Sequence, residues 1–238
     1  MPKTLRLLLV SGAVAAVALV GAARALACGN SAGYSYAGLG AQTNANGISA
    51  VISPLDAFDV FNGHVAGWVG VGGPGEGPGG TNEWLQIGLS GYPGILGSDI
   101  YYEVALPGRY PTYHQVSANL PFGTVAKVTV LEMHNRPNWW RAWLNHRPVS
   151  PAIHMPGSHD AWSPIATAES WDGGTGGTCN TFLYRFRRVS IAHAMGGGWH
   201  LLRGAFQISS PVTKVRRMHT ASFLAAEGRS AFQLLSSG

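Results

Sequence analysis

The chain has 238 residues, of which 46% are hydrophobic and only 11% charged, with 33 glycines and 14 prolines. So large an apolar share excludes a disordered chain, while the glycine and proline content suits many short strands joined by tight turns. Much of the formal charge of +5 sits in the first residues.

Lys3 and Arg6 precede an apolar run from Leu7 to Ala23, and Ala25-Leu26-Ala27 has the small-x-small pattern of a signal-peptidase site. Residues 1–27 are therefore expected to be a signal peptide, cleaved to leave Cys28 first and the protein secreted. The alternative is a lipid anchor on Cys28, although Ala25 and Leu26 depart from the usual lipoprotein pattern. Arg24 interrupts the apolar run, and no later run approaches the ~20 apolar residues of a membrane span. Cleavage removes Lys3, Arg6 and Arg24 and no acid, leaving 13 basic against 11 acidic side chains, a net charge of +2. Such a charge demands neither nucleic acid nor an anionic membrane as partner. Two basic clusters, at Arg185, Arg187 and Arg188 and at Lys214, Arg216 and Arg217, read as solvated outer faces of strands. Cys28 and Cys179 are the two cysteines, and export permits a disulfide between them.

The mature length suits one domain with a substantial core. Residues 28–55 are expected to join a β-sandwich domain over 56–218, with 219–238 as a last strand or a tail. In chain order, the first strand-like blocks are Trp68-Val69-Gly70-Val71-Gly72 and Glu83-Trp84-Leu85-Gln86-Ile87-Gly88. Period-two alternation then marks 126–132, with Ala126, Val128 and Val130 on one side, and 139–144, where Trp140, Ala142 and Leu144 oppose Trp139, Arg141 and Trp143. Asn145 to Pro148 reads as a turn. Ala166 to Trp171 is a further strand, as is 182–187, which puts three aromatics on one face and two arginines on the other. Gly204 to Ile208 looks like another. Glycine-rich stretches at 72–80, 173–177 and 196–198 punctuate these runs. A helical period does not persist outside the signal, and Ala221 to Leu235 reads as a short helix or a frayed tail. Many turn-bounded strands imply an all-β fold, an antiparallel β-sandwich.

Gln86 and Glu169 each sit in an apolar, aromatic stretch, where a polar head is costly unless it is hydrogen-bonded or used. Other constellations carry less. Gly157-Ser158-His159-Asp160 has the residue types of a hydrolase triad, but neighbours on an extended chain cannot relay through one another. Gly33 to Ala37 lacks the last glycine of a nucleophile elbow. Histidines 146, 154 and 159 have no metal spacing, so neither a metal nor another cofactor is expected.

Trp68 to Gly72, Leu85 to Gly88, Tyr101-Tyr102-Glu103, Thr124 to Val130 and Ala168-Glu169-Ser170-Trp171 together resemble, in order and spacing, the blocks of the glutamic peptidases, or eqolisins. The likeness covers roughly Asp56 to Ile191. It implies a concanavalin-like jelly roll of two large antiparallel sheets. It further implies that Gln86 and Glu169 are catalytic and that Trp68 and Glu103 border the substrate cleft, with Trp84, Tyr101 and Trp171 as substrate-binding neighbours. The chemistry implied is attack by water on a peptide bond, with Glu169 as general base and then acid and Gln86 donating to the oxyanion. The substrate would be a polypeptide and the protein a monomer. Three departures stand out: Gly72 replaces an aspartate, Ile87 replaces a threonine after the glutamine, and Ser170 separates Glu169 from Trp171. The first two would remove polar groups that orient the dyad. The third bears on which face of the strand Glu169 presents. The alternative function is a non-catalytic module that binds glycan or cell-wall material through its aromatic cleft. A glucanase fits less well, because Glu-x-Asp-x-x-Glu is absent.

Overall fold

A computed structural model describes residues 28–30, 32–219, 221–228, 232, 233 and 235. The expected signal peptide, 1–27, lies outside them. The strands are β1 (Tyr34–Gly40), β2 (Gly47–Pro54), β3 (His64–Gly77), β4 (Thr81–Gly91), β5 (Ser98–Ala105) and β6 (Thr112–Leu120). There follow β7 (Ala126–Glu132), β8 (Trp139–Leu144), β9 (Arg147–Pro148), β10 (Ile153–His154) and β11 (Ile165–Trp171). The last are β12 (Phe182–Ala194), β13 (Gly197–Leu201), β14 (Phe206–Ser209), β15 (Thr213–Met218) and β16 (Ser222–Glu227).

They form two antiparallel sheets. Seven strands make the first, in the order β14-β1-β11-β3-β4-β5-β6. The second runs β10-β8-β7-β2-β12-β16-β15, with β9 on β8 and β13 on β12. The expected all-β sandwich of two large sheets is thus the observed architecture. Residues 34–54 supply a strand to each sheet. At the other end, Ser222–Glu227 is strand and Phe232, Gln233 and Leu235 are helical.

Alternation places the core where the sequence pointed. Val69, Val71, Leu85, Ile87 and Leu89 of the first sheet are buried in one cluster with Val128, Val130, Trp140, Phe182, Tyr184 and Phe186 of the second. Burying each of these side chains contributes on the order of 1.5–3 kcal/mol. Gly67 lets the layers approach, because a Cβ there would lie 2.6 Å from the Tyr184 ring. The Tyr184 hydroxyl donates across to the Leu89 carbonyl at 3.2 Å.

Of the turn expected over 145–148, Asn145 (φ 47°) and His146 (φ 68°) make the turn in left-handed backbone, whereas Arg147 and Pro148 pair with β8 as β9. Cys28 and Cys179 form the anticipated disulfide, with Cα atoms 5.0 Å apart across 151 residues of sequence. That bond fastens residue 28 beyond the end of β11. Among the described residues no helix is long and apolar enough to cross a membrane.

Candidate active site

The side chains on the outer side of the first sheet line a groove of about 660 Å³. Strand β3 is its floor. Trp68 pairs with Thr167 of β11 on one side and with Gly88 of β4 on the other. Two residues along in one direction, Ala66 lies opposite Glu169. Two residues along in the other, Gly70 lies opposite Gln86. The two polar heads therefore enter the groove from the strands flanking β3, on the same face. Glu169 is 7% exposed and Gln86 8%.

Glycines make room for the Trp68 indole between them. A Cβ on Gly88 would lie 2.6 Å from Trp68 Cβ, and one on Gly70 would lie 3.0 Å from both the indole edge and Gln86 Cβ. Two glycines on adjacent strands, Gly70 of β3 and Gly88 of β4, thus leave the space that the Trp68 side chain occupies.

Each head is held by a neighbour. Glu169 Oε1 lies 3.2 Å from His64 Nε2. Gln86 Nε2 donates to the Tyr101 hydroxyl at 3.3 Å, which leaves its second N–H available. Trp84 Nε1 donates to Glu103 Oε1 at 2.9 Å. Burial pushes the Glu103 carboxyl above its usual range, the Trp84 bond opposes this, and the Glu169 charge adds to it. Burial first, and then the charges of Glu169 and Glu103, raise the Tyr34, Tyr36 and Tyr101 hydroxyls. Those phenols stay protonated.

Of the residues expected from the sequence, Trp68, Trp84, Gln86, Tyr101, Glu103 and Glu169 all line this groove. Trp171 stands at its rim, its ring 6.0 Å from that of Tyr34 and 5.8 Å from that of His64. Sequence reasoning did not single out Tyr34, Tyr36, His64, Tyr92 or Tyr113, which also line it. Their only local signal is alternation, Tyr34 with Tyr36 and His64 with Trp68, and that does not tell one face from the other. Among the described residues no three His, Cys, Asp or Glu side chains converge as metal ligands.

The three departures resolve as geometry. Ser170 turns inward, is buried, and accepts a hydrogen bond from Asn180 Nδ2 at 3.1 Å. Trp171 then shares the groove face with Glu169, and β11 stays in unbroken register with β3 from Ile165 to Trp171. Ile87 is fully buried in the core, so exchanging it leaves the groove face unaltered, contrary to the expectation that an orienting group is lost there. Gly72 has a left-handed backbone (φ 73°), and a Cβ would lie 2.3 Å from the Glu83 carbonyl oxygen. The chain at this point is shaped for glycine.

No protein-family model matches the chain, and no curated protein sequence does so. Solved structures do. A scytalido-glutamic peptidase bound to a transition-state analogue superposes with a TM-score of 0.55 at 17% identity, covering 82% of this chain and 98% of that one. SCP-B, a member of the eqolisin family in complex with the tripeptide Ala-Ile-His, gives 0.51 at 15% identity, covering 83% and 98%. Superposing over most of its length and nearly all of theirs, the chain has the fold of the glutamic peptidases, and the resemblance read from its sequence blocks is a resemblance of structure.

Proposed function

We propose that the protein is a glutamic-type endopeptidase that hydrolyses polypeptides in the groove on its first sheet. One observation carries the reading: Glu169 and Gln86, more than 80 residues apart, enter the same groove from the two strands flanking Trp68. Glu169 takes a proton from water as the oxygen attacks the peptide carbonyl carbon. The carbonyl oxygen becomes an oxyanion and accepts a hydrogen bond from the free N–H of Gln86. Glu169 then delivers the proton to the departing nitrogen, and the C–N bond breaks without a covalent enzyme intermediate. His64 holds one carboxylate oxygen of Glu169, leaving the other to meet water. Glutamine suits the second position because it stays neutral and donates whatever the pH.

A test is cleavage of a denatured protein by residues 28–238 from about pH 2 to about pH 7, beside Glu169→Gln and Gln86→Ala. Glu169→Gln should abolish cleavage, and Gln86→Ala should lower kcat by about 10²–10³-fold. Absence of cleavage by the folded wild-type chain at every pH would sink the reading and leave the aromatic groove as a glycan-binding cleft. The expected signal peptide would make this a secreted enzyme, an origin that the disulfide supports.

A further inference from the structure

The outer face of the second sheet has its own concavity, of about 560 Å³, which shares no residue with the groove. That volume lies in the range of small-ligand sites. Trp143 of β8 and Trp199 of β13 line it, together with three cationic or titratable bases, Lys127, His146 and Arg188, and no carboxylate. One rung across β8, β7, β2 and β12 aligns Trp143, Thr129, Ser49 and Ser190. Three hydroxyls therefore sit between the tryptophans.

Two backbone observations single this place out. His146 occupies the second position of the turn after β8 at φ 68°, and Arg188 occupies the β12 bulge at φ 51°. Both are conformations that favour glycine. Both carry instead a basic side chain into the same concavity, and left-handed backbone held at a non-glycine residue is a mark of a functional position. The bulge also re-aims the Arg188 side chain relative to a regular strand.

The charges there are unanswered. Among the described residues every ion pair has a histidine as its basic member, so no described acid pairs with Lys127 or Arg188. Arg141 and Arg187, on adjoining rungs of the same face, extend the same sign. Trp143 Nε1 is buried and has no acceptor.

We propose that this concavity is a second binding site, separate from the groove, for an acidic polysaccharide bearing carboxylates. Trp143 and Trp199 take the apolar faces of sugar rings, and the hydroxyl oxygens of Thr129 and Ser190, whose protons go to Ser49 Oγ and the Arg188 carbonyl, accept from sugar hydroxyls at the ring edges. Arg188, Lys127 and His146 hold the carboxylates, the arginine with the forked geometry suited to them. A neutral glycan would leave the bases idle. A nucleic acid strand calls for a longer cationic track along its backbone.

The test is calorimetric titration of residues 28–238 carrying Glu169→Gln with three probes: a galacturonate hexamer, cellohexaose and a single-stranded DNA hexamer. The galacturonate hexamer should bind at least about tenfold more tightly than either other probe. The double variant His146→Gly, Arg188→Gly should lose about tenfold or more in that affinity. Its thermal midpoint should equal or exceed that of the parent, because glycine relieves the backbone. Trp199→Ala should weaken binding while the chain remains folded. Failure of the galacturonate hexamer to bind, equal or tighter binding of cellohexaose or DNA, or unchanged affinity in the variants would each overturn the site. Because the parent has no glutamate base at 169, none of these outcomes depends on peptidase activity.

Discussion

The role proposed for Glu169 asks its carboxylate to face water and to keep one orientation, and His64 bears on the second. An imidazole 3.2 Å from Oε1 fixes the plane of the carboxyl group. We expect His64→Leu to lower kcat on the order of 10- to 100-fold, the scale on which small misplacements of a reacting group act. KM should stay nearly unchanged, and steady-state kinetics on a peptide substrate would check the split. Equal losses in both constants would assign His64 to substrate binding instead. Glu169, Gln86 and the tryptophans beside them were legible in the sequence because each is an odd residue in a strand of otherwise consistent character. His64, Tyr34 and Tyr36 were not, since a histidine or tyrosine on a strand is ordinary. Only the pairing of β1 with β11, some 130 residues on, turns the two tyrosines to the groove.

At the scale of strands, β3 and β4 show how much depends on small residues in register. A methyl group on Gly88 would meet the Gly67 carbonyl oxygen at 2.2 Å as well as the Trp68 side chain. Gly88→Ala should therefore destabilise the fold by about 1–3 kcal/mol, the usual result of overpacking, and tilt Trp68 out of the floor. Thermal melting together with near-ultraviolet circular dichroism would read both effects. Strands with one wet face, such as 126–132 and 182–187, announce themselves by alternation. β1 and β2 are harder to read, because most of their residues are buried on both faces and only Tyr34 with Tyr36 alternates in exposure. Residues 28–55, expected to join the sandwich, do so without a strand pattern of their own, giving a strand to each sheet. The effect of Ser170 was equally hidden. Whether an inserted residue slips a strand or turns inward depends on what waits inside, here Asn180.

At the scale of the whole molecule, two buried carboxyls tilt stability toward acid. Burial raises the carboxyls of Glu83 and Glu227 from 4.5 to about 7, with the Ser35 and Ser170 hydrogen bonds opposing part of the rise at Glu227. Below about pH 4.5 the folded and unfolded chains both hold these protons. Between there and about pH 7 the unfolded chain releases protons that the folded chain retains, so stability falls as pH rises and levels off above. His159, raised mainly by its hydrogen bond to Glu132, adds stability of the same sign, lost at higher pH as it deprotonates. Glu227 alone should cost on the order of 2–3 kcal/mol across that window, and Glu227→Gln should flatten the profile in denaturant melts at pH 4 and pH 8. Equal stability of the wild type at the two values would refute the account. Cys179→Ser removes a constraint spanning most of the chain and should cost about 2–5 kcal/mol, measured by the same melts.

One feature of the topology governs when any of this can begin. The tyrosine wall of the groove is carried by β1, near the start of the described chain, yet β1 lies between β11 and β14 and takes its hydrogen bonds from residues 165–171 and 206–209. Contacts so distant in sequence form slowly and are entropically expensive until the chain is complete. A nascent chain that includes Gln86 and Glu169 but not yet Phe206 therefore holds both side chains beside a wall that lacks its β14 neighbour. The wall of the groove is fixed only once strands from opposite ends of the described chain have paired.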